Sequence, residues 1–372
     1  MRFNGFDDEW IEEKLGNLVQ IKSGECTKNL ITGIDNSIPY FKVEQLNNSL
    51  KYQIKTPYFI NDKSKIVNKG SIIFPKRGAA ILLNKIRILN QDSFMDTNLM
   101  TLTPNNKLYN EFLYYFIYKE NLSKIADTTS IPQLNNKHIK PYPIKLPSFE
   151  EQLKISKFIS SVDKKVALLS QNLEIFNDFK KGLLQQIFTQ KLRFDFSDEW
   201  NYVNFNNIFK SASTKKYQIK SAEIMANGDF EVIDQGKDEI AGYFNDKNKL
   251  CYELPIIIYG DHTTFVKFRD KPFIVGADGV KLLLPKIDSN LKYLFYALEY
   301  FNIKPEGYKR HFSIIKKIKL PIPSLEEQNE ISEMFSSVDN KLKYTQKQLQ
   351  ETKKFKKGLL QQMFVSMRTM VS

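Results

Sequence analysis

Cysteine is almost missing from this chain: two occur in 372 residues, Cys26 and Cys251. A disulfide scaffold or a multi-thiolate metal site has nothing to build on, and both residues are expected as inert side chains of a reducing cytoplasm. Arginine is scarce as well. Of 55 basic residues, 48 are lysine and only seven arginine. No apolar run approaches the roughly 20 residues that span a bilayer. The N-terminus, Met1-Arg2-Phe3-Asn4-Gly5-Phe6-Asp7-Asp8, lacks the charged-then-apolar pattern of a signal peptide. Catalytic motifs are missing too. There is no Gly-x-x-x-x-Gly-Lys-Ser/Thr loop to hold phosphates, no Asn-Pro-Pro-Tyr/Phe, and no carboxylate–lysine cluster of the nuclease kind. His262 follows Asp261, but no serine or cysteine nucleophile motif accompanies them, and His138 and His311 are the only other histidines. The chain reads as non-catalytic, and metal or redox chemistry has nothing to build on.

What is present is said twice. Pro147-Ser148-Phe149-Glu150-Glu151-Gln152 returns as Pro323-Ser324-Leu325-Glu326-Glu327-Gln328, and the match runs ungapped to Phe188 and Phe364, always 176 positions apart. Of its 42 positions, 22 are identical, the longest block being Phe179 to Gln186 against Phe355 to Gln362. A shorter repeat opens each half: Phe6-Asp7-Asp8-Glu9-Trp10 and Phe196-Ser197-Asp198-Glu199-Trp200, preceded by Arg2-Phe3 and Arg193-Phe194. Residues 11–146 and 201–322 lie between these edges and do not resemble each other. Two copies of one frame hold two different contents.

The frame is helical. Ile155, Ile159, Val162, Val166, Leu169, Leu173 and Phe176 are spaced 4, 3, 4, 3, 4, 3, an unbroken heptad seam. Its second copy is Ile331, Phe335, Val338, Leu342, Thr345, Leu349 and Thr352. Ser148 and Ser324 stand three residues before Glu151 and Glu327, so each can close a capping box. About 40 residues give a rod of roughly 60 Å, and so narrow a seam needs a partner. Its own repeat is the nearest one, and an antiparallel coiled coil is expected; packing of each helix on its own domain alone is the alternative. Lys180, Lys181, Gln185 and Gln186, with Lys356, Lys357, Gln361 and Gln362, are expected on the helix surface. Their repetition suggests a face that docks one partner twice; packing against the chain's own domains is the alternative.

Both variable segments read as mixed α/β. Short β-branched and aromatic runs occur at Ile38 to Val43, Ser71 to Phe74, Phe230 to Ile233, Pro255 to Tyr259 and Pro272 to Val275. Helical spacing at Glu111 to Tyr118 and Leu291 to Phe301 occupies the same place in each. The expected architecture is α+β: two globular segments, 1–146 and 191–322, alternating with helices at 147–190 and 323–372, as a pseudo-two-fold repeat.

A net charge of +13 and a pI near 9.3 suit a polyanionic partner, nucleic acid above all, although the lysine excess also fits codon bias. Base edges are read by arginine on guanine and by Asn or Gln on adenine, while lysine mainly meets phosphate. The candidates are Lys76, Arg77, Arg87, Gln133 and Asn135 in the first segment. In the second they are Gln235, Lys237, His262, Thr263, Arg269 and Arg310. Arg77, on the loop Phe74-Pro75-Lys76-Arg77-Gly78, is the strongest single candidate. Thr129 to Asn136, Gly260 to Thr264 and Gly276 to Gly279 are further polar loops suited to close approach.

Taken together, the duplicated Pro-Ser-x-Glu-Glu-Gln helix, the Lys-Gly-Leu-Leu-Gln-Gln-x-Phe ends and the Phe-x-Asp-Glu-Trp openings resemble the specificity subunit of type I restriction–modification systems. The likeness covers essentially the entire chain. It extends to Ile38 to Val43, Phe74 to Ile81 and Thr129 to Asn135, which look like a first target recognition domain of that family. Val232 to Gly236, Tyr259 to Thr263 and Gly276 to Gly279 look like a second. The resemblance implies two target recognition domains separated by an antiparallel pair of long helices, each reading half of a split double-stranded DNA site. It implies two methyltransferase subunits docked on the repeated helices, modifying adenines with S-adenosylmethionine, and motor–nuclease subunits joining them. The specificity subunit itself would bind no cofactor. Thr345 and Thr352 depart from the apolar seam and put tight pairing at that end in doubt. The competing readings are a coiled-coil DNA-binding scaffold outside a restriction system and an enzyme in its own right. A neighbouring reading frame carrying Asn-Pro-Pro-Tyr/Phe discriminates against both.

Overall fold

The computed structural model describes residues 2–27, 30–32, 37–62, 64, 66–127, 131–307 and 309–364. It divides into two compact units, residues 1–169 with 348–372 and residues 170–347. Both cuts fall inside the repeated helices. Each unit therefore owns one variable segment and half of each helix.

The first unit opens with β1 (Ile11–Lys14), the one-turn helix α1 (Leu15–Leu18), β2 (Val19–Ser23), β3 (Ile38–Phe41), β4 (Tyr52–Gln53) and β5 (Phe59–Ile60). Next come β6 (Ile72–Pro75), β7 (Arg87–Leu89), β8 (Phe94–Met95), β9 (Leu99–Pro104) and α2 (Asn110–Glu120). The one-turn α3 (Asn136–Ile139) and β10 (Pro143–Leu146) lead into α4 (Phe149–Phe188). The main sheet has the order β2-β9-β6-β7-β4, a smaller one is β5-β3-β8, and β1 pairs with β10. Every residue of β6 is buried, as a strand covered on both faces requires. Phe112, Leu113, Phe116 and Ile117 of α2 share a core with Ile155, Ile159 and Val162 of α4. Leu359, Leu360, Met363 and Phe364 complete it, with the Phe364 ring 4.9 Å from that of Phe112.

The second unit repeats the plan. Its elements are β11 (Asn201–Asn204), α5 (Phe205–Ile208), β12 (Phe209–Ala212), β13 (Gln218–Ile219), β14 (Phe230–Ile233), β15 (Gly242–Phe244) and β16 (Ile256–Gly260). Then follow β17 (Val266–Arg269), β18 (Ile274–Gly276), β19 (Val280–Pro285), α6 (Leu291–Tyr300), α7 (Phe312–Ile315), β20 (Lys319–Ile322) and α8 (Leu325–Met363). The order β12-β19-β16-β17 matches β2-β9-β6-β7 strand for strand, and β11 pairs with β20. A second sheet, β13-β18-β14-β15, repeats β8-β3-β5 in order and direction and adds β13 at its edge. Leu294, Ala297 and Leu298 of α6 pack with Leu183, Leu184, Ile187 and Phe188 of α4 and with Ile331 and Phe335 of α8. Each fully buried side chain of this size contributes about 1.5–3 kcal/mol.

In each unit the two helix halves run antiparallel. Asp163 of α4 meets Lys356 of α8 at 2.6 Å in the first, and Lys180 meets Asp339 at 2.9 Å in the second. The repeat exchanges these pairs, since 163 + 176 = 339 and 180 + 176 = 356. Tyr115 and Tyr296 each donate to the same aspartates, both at 2.8 Å. Thr345 and Thr352 are buried seam residues after all. Their hydroxyls donate to the carbonyls of Lys341 (2.8 Å) and Gln348 (2.7 Å), so no polar group is stranded.

The expected capping boxes form only in part. The Ser148 and Ser324 hydroxyls accept from the amides of Glu151 and Glu327, both at 3.3 Å. The two carboxylates, 1 % exposed, instead hold Arg2 (3.0 and 2.7 Å) and Arg193 (3.0 and 2.8 Å) in bidentate pairs. The repeated Arg-Phe openings are thus latched to the repeated Pro-Ser-x-Glu-Glu-Gln helix starts. Gln152 and Gln328 add a second latch, accepting from the amides of Tyr109 (2.8 Å) and Asn290 (2.9 Å). Among the described residues no helix is long and apolar enough to cross a membrane.

Candidate nucleic-acid interface

In the first unit the chain leaves β6 at Pro75 and enters the Lys76-Arg77-Gly78 loop. Three backbone bonds pin this loop: Lys76 N–H to Asn98 O (2.8 Å), Gly78 N–H to Pro132 O (2.9 Å) and Leu134 N–H to Lys76 O (2.8 Å). Gln133 is held to Asp127 by two further bonds, 2.9 and 3.0 Å. Gly78 has φ of +82°, a conformation that favours glycine. Arg77 is exposed, and its guanidinium has no partner among the described residues. Lys76 is half-buried; burial pulls its ammonium below the ordinary lysine value, against the attraction of Asp96. Gln133 lies across a β-bridge from Arg77, and Asn135, exposed, stands just before α3, where its main-chain N–H donates to His138 Nδ1 at 3.1 Å. Thr129 and Ser130 of the same predicted loop lie outside the described residues.

Arg87 belongs elsewhere. Its guanidinium donates to the carbonyls of Leu46 and Ile86, both at 2.6 Å, and burial lowers its pKa. Expected as a base reader, Arg87 instead stands on β7, half-buried and tied to main-chain carbonyls of its own unit, apart from the 76–78 loop. Arg269, also expected as a base reader, is likewise engaged within its own unit. It is 8 % exposed on β17, paired with Glu231 and lying 3.7 Å from Glu239.

In the second unit four loops are knitted into one cluster. They follow β14 (234–238), β16 (261–264), β18 (277–279) and α6 (302–307 and 309–311). Gln235 is the hub: its side-chain amide donates to Asp278 O (3.1 Å) and its oxygen accepts from His262 N–H (3.1 Å). Its main-chain carbonyl accepts from the Thr263 hydroxyl. A Cβ at Gly279, where φ is +86°, would lie 2.6 Å from the Gln235 side chain, so only glycine fits this approach. Gln235 and Thr263 are thus occupied in shaping the cluster. Lys267, buried, donates to the carbonyls of Asp234 (2.9 Å) and Asp238 (2.6 Å) and holds Lys237 exposed at the loop tip. The last loop is tied at both ends, by Asn302 Nδ2 to Thr264 O (2.6 Å) and by His311 N–H to Asp261 O (2.7 Å). Asp261 Oδ1 accepts from Phe312 N–H at 2.8 Å, and the fully buried His311 accepts from Glu306 N–H at 3.0 Å. Arg310 sits on this tethered loop, exposed and without a partner among the described residues. His262 is half-buried at the cluster's centre.

The repeated block on the helices divides by position. Lys180 and Lys356 are not surface residues. Lys180 lies between Glu299 (3.0 Å) and Asp339 (2.9 Å); burial pulls its pKa down, but the two carboxylates outweigh it and leave it raised. Lys356 meets Asp163 and sits 4.7 Å from the Tyr118 ring. Lys181, Gln185 and Gln186, and Lys357, Gln361 and Gln362, are exposed. Sequence reasoning passed over their neighbours: Phe179 and Phe355 are 55 % and 54 % exposed, and a Cβ at Gly182 or Gly358 would meet nothing within 4 Å. An exposed mid-helix glycine costs about 1 kcal/mol relative to alanine, which was the available signal.

A family model described as type I restriction modification DNA specificity domain matches residues 7–175 and again 197–354. The chain is 24% identical to the putative type I restriction enzyme MjaX specificity subunit of Methanocaldococcus jannaschii, covering 95% of this chain and 92% of that protein. It is 25% identical to the putative type I specificity subunit S.MpnORF638P of Mycoplasma pneumoniae, over 84% and 83% of the two chains. Among solved structures it resembles the S subunit of a type I restriction–modification system from M. genitalium, with a TM-score of 0.66, 18% identity and 98% of both chains covered.

Proposed function

The chain belongs to the type I restriction–modification DNA specificity family, and from that premise we propose how it divides the labour. The loops at 76–78 and 133–135 read one half of a split DNA site. The loops at 234–238, 261–264, 277–279, 302–307 and 309–311 read the other. The observation that carries this is the pairing of one shared sheet order with two unrelated loop sets, each fixed by its own backbone bonds. A preorganised loop set loses little entropy on binding, and two different sets imply an asymmetric site.

The repeated helix face seats the methyltransferase subunits, and through them the motor–nuclease subunits. Phe179, Gly182 and Gln186 fall on one stripe of α4; Phe355, Gly358 and Gln362 fall on the matching stripe of α8. An exposed phenylalanine beside an open glycine suits a partner helix that packs closely, and the two copies suit two identical partners. Adenine modification belongs to those partners; the chain itself acts by binding. The test is methylation-sensitive sequencing of DNA from cells expressing this chain with its methyltransferase. Modified adenines should fall in two defined elements flanking an unspecified spacer. Modification without a sequence motif, or in one undivided motif, contradicts the reading.

A further inference from the structure

The two loop sets differ in sequence but are hung from the same backbone bonds. Pro75, the last residue of β6, pairs with Leu99 of β9, and Gly260, the last of β16, pairs with Val280 of β19. The next residue in each case donates to the residue before that partner: Lys76 N–H to Asn98 O (2.8 Å) and Asp261 N–H to Gly279 O (2.7 Å). The carbonyl of that same residue then accepts from far along the chain: Leu134 N–H to Lys76 O (2.8 Å) and His311 N–H to Asp261 O (2.7 Å). Leu134 and His311 are both buried, at 1 % and 0 % exposure; His311 directly precedes its one-turn helix, and one further residue, Asn135, separates Leu134 from its own. By these two bonds residues 134 and 311 are equivalent anchors, the first unit having one residue more before its helix, and Gln133 and Arg310 stand immediately before them.

Both of those side chains are open to a ligand. Gln133 is half-buried and Arg310 exposed, and neither side chain is hydrogen-bonded to a described residue. That sets them apart from Gln235, Thr263, Arg87 and Arg269, each of which is bonded through its side chain inside the protein. An unoccupied amide or guanidinium on a backbone fixed at the adjacent residue is what planar, two-bond recognition of a base edge requires. Glutamine matches adenine N6 and N7, and arginine matches guanine O6 and N7.

Building on the DNA-reading role above, we propose that position 133 and its equivalent 310 are the specificity-determining position of the two readers. Gln133 selects an adenine in the first half-site and Arg310 a guanine in the second. The two side chains are exchangeable because the backbone that presents them is the same.

The test is selection from a randomised duplex library by the chain co-purified with its methyltransferase. Wild type is compared with Arg310→Gln, Gln133→Arg and Arg310→Ala. Arg310→Gln should turn one guanine of the second half-site into adenine and leave the first half-site unchanged. Gln133→Arg should do the converse in the first. Arg310→Ala should leave that one position degenerate, with discrimination falling on the order of ten- to a hundredfold. An unchanged selected sequence in the Arg310 variants overturns the assignment. So does loss of the whole second half-site in Arg310→Ala, which would make the residue a scaffold of its loop. If wild type itself selects no two-part sequence, the DNA-reading role fails, and that failure is visible before any variant is compared.

Discussion

Arg77 and Arg87 stand ten positions apart in the same variable segment and meet opposite fates. Arg77 reaches solvent with its donors unoccupied, while Arg87 is fixed to the carbonyls of Leu46 and Ile86. Nothing local distinguishes them in the sequence, because the partner that captures Arg87 lies 41 positions away along the chain. The same holds for Arg269, taken up by Glu231 from another strand. The loop glycines at 78 and 279 were legible, since a polar loop at a strand end that needs positive φ calls for glycine. Arg77→Ala should cost about 1–3 kcal/mol and relax one base of the first half-site. Lys76→Ala should weaken all sequences alike and lower the slope of log affinity against log salt by about one. Binding titrations at several salt concentrations separate the two. Identical behaviour would make Arg77 a phosphate contact.

At the scale of elements, the long helices and their seam were readable because periodicity is local. The reason for the block's identity was not. Leu183, Leu184 and Phe188, like Leu359, Leu360 and Phe364, are core anchors, and Lys180 and Lys356 are ion-paired. One signal was available: antiparallel pairing with constant sum, 163 + 356 = 180 + 339 = 519, places each lysine opposite an aspartate. Lys180→Ala would leave Glu299 and Asp339 together without a cation. It should destabilise the second unit by about 2–3 kcal/mol, seen as a lowered melting temperature. Phe179→Ser should leave melting unchanged, since that ring is exposed, and instead remove one methyltransferase from the complex; Phe179→Ser with Phe355→Ser should remove both. Native mass spectrometry of the co-expressed subunits reads this directly. Two methyltransferases still bound to the double variant would move docking to another face.

For the molecule as a whole, the repeat placed the frame, and matching strand order carries it into segments whose sequences do not match. The shared order of strand-like runs and helix pointed to one fold with divergent loops in both segments; the strand order β2-β9-β6-β7 and β12-β19-β16-β17 was hidden because β9 and β19 owe their places to register with distant strands, not to their own patterning. What the sequence left open is which bases are read, since that depends on loop geometry and DNA shape as much as on residue type. On the proposed reading each variable segment is a separable reader, because its loops are fixed by bonds within its own unit. The most direct measurement replaces residues 11–146 with the corresponding segment of another family member and maps the methylated sequence in cells carrying the same methyltransferase. A new first half-site beside an unchanged second half-site is the predicted result. A change in both half-sites, or in neither, would contradict it.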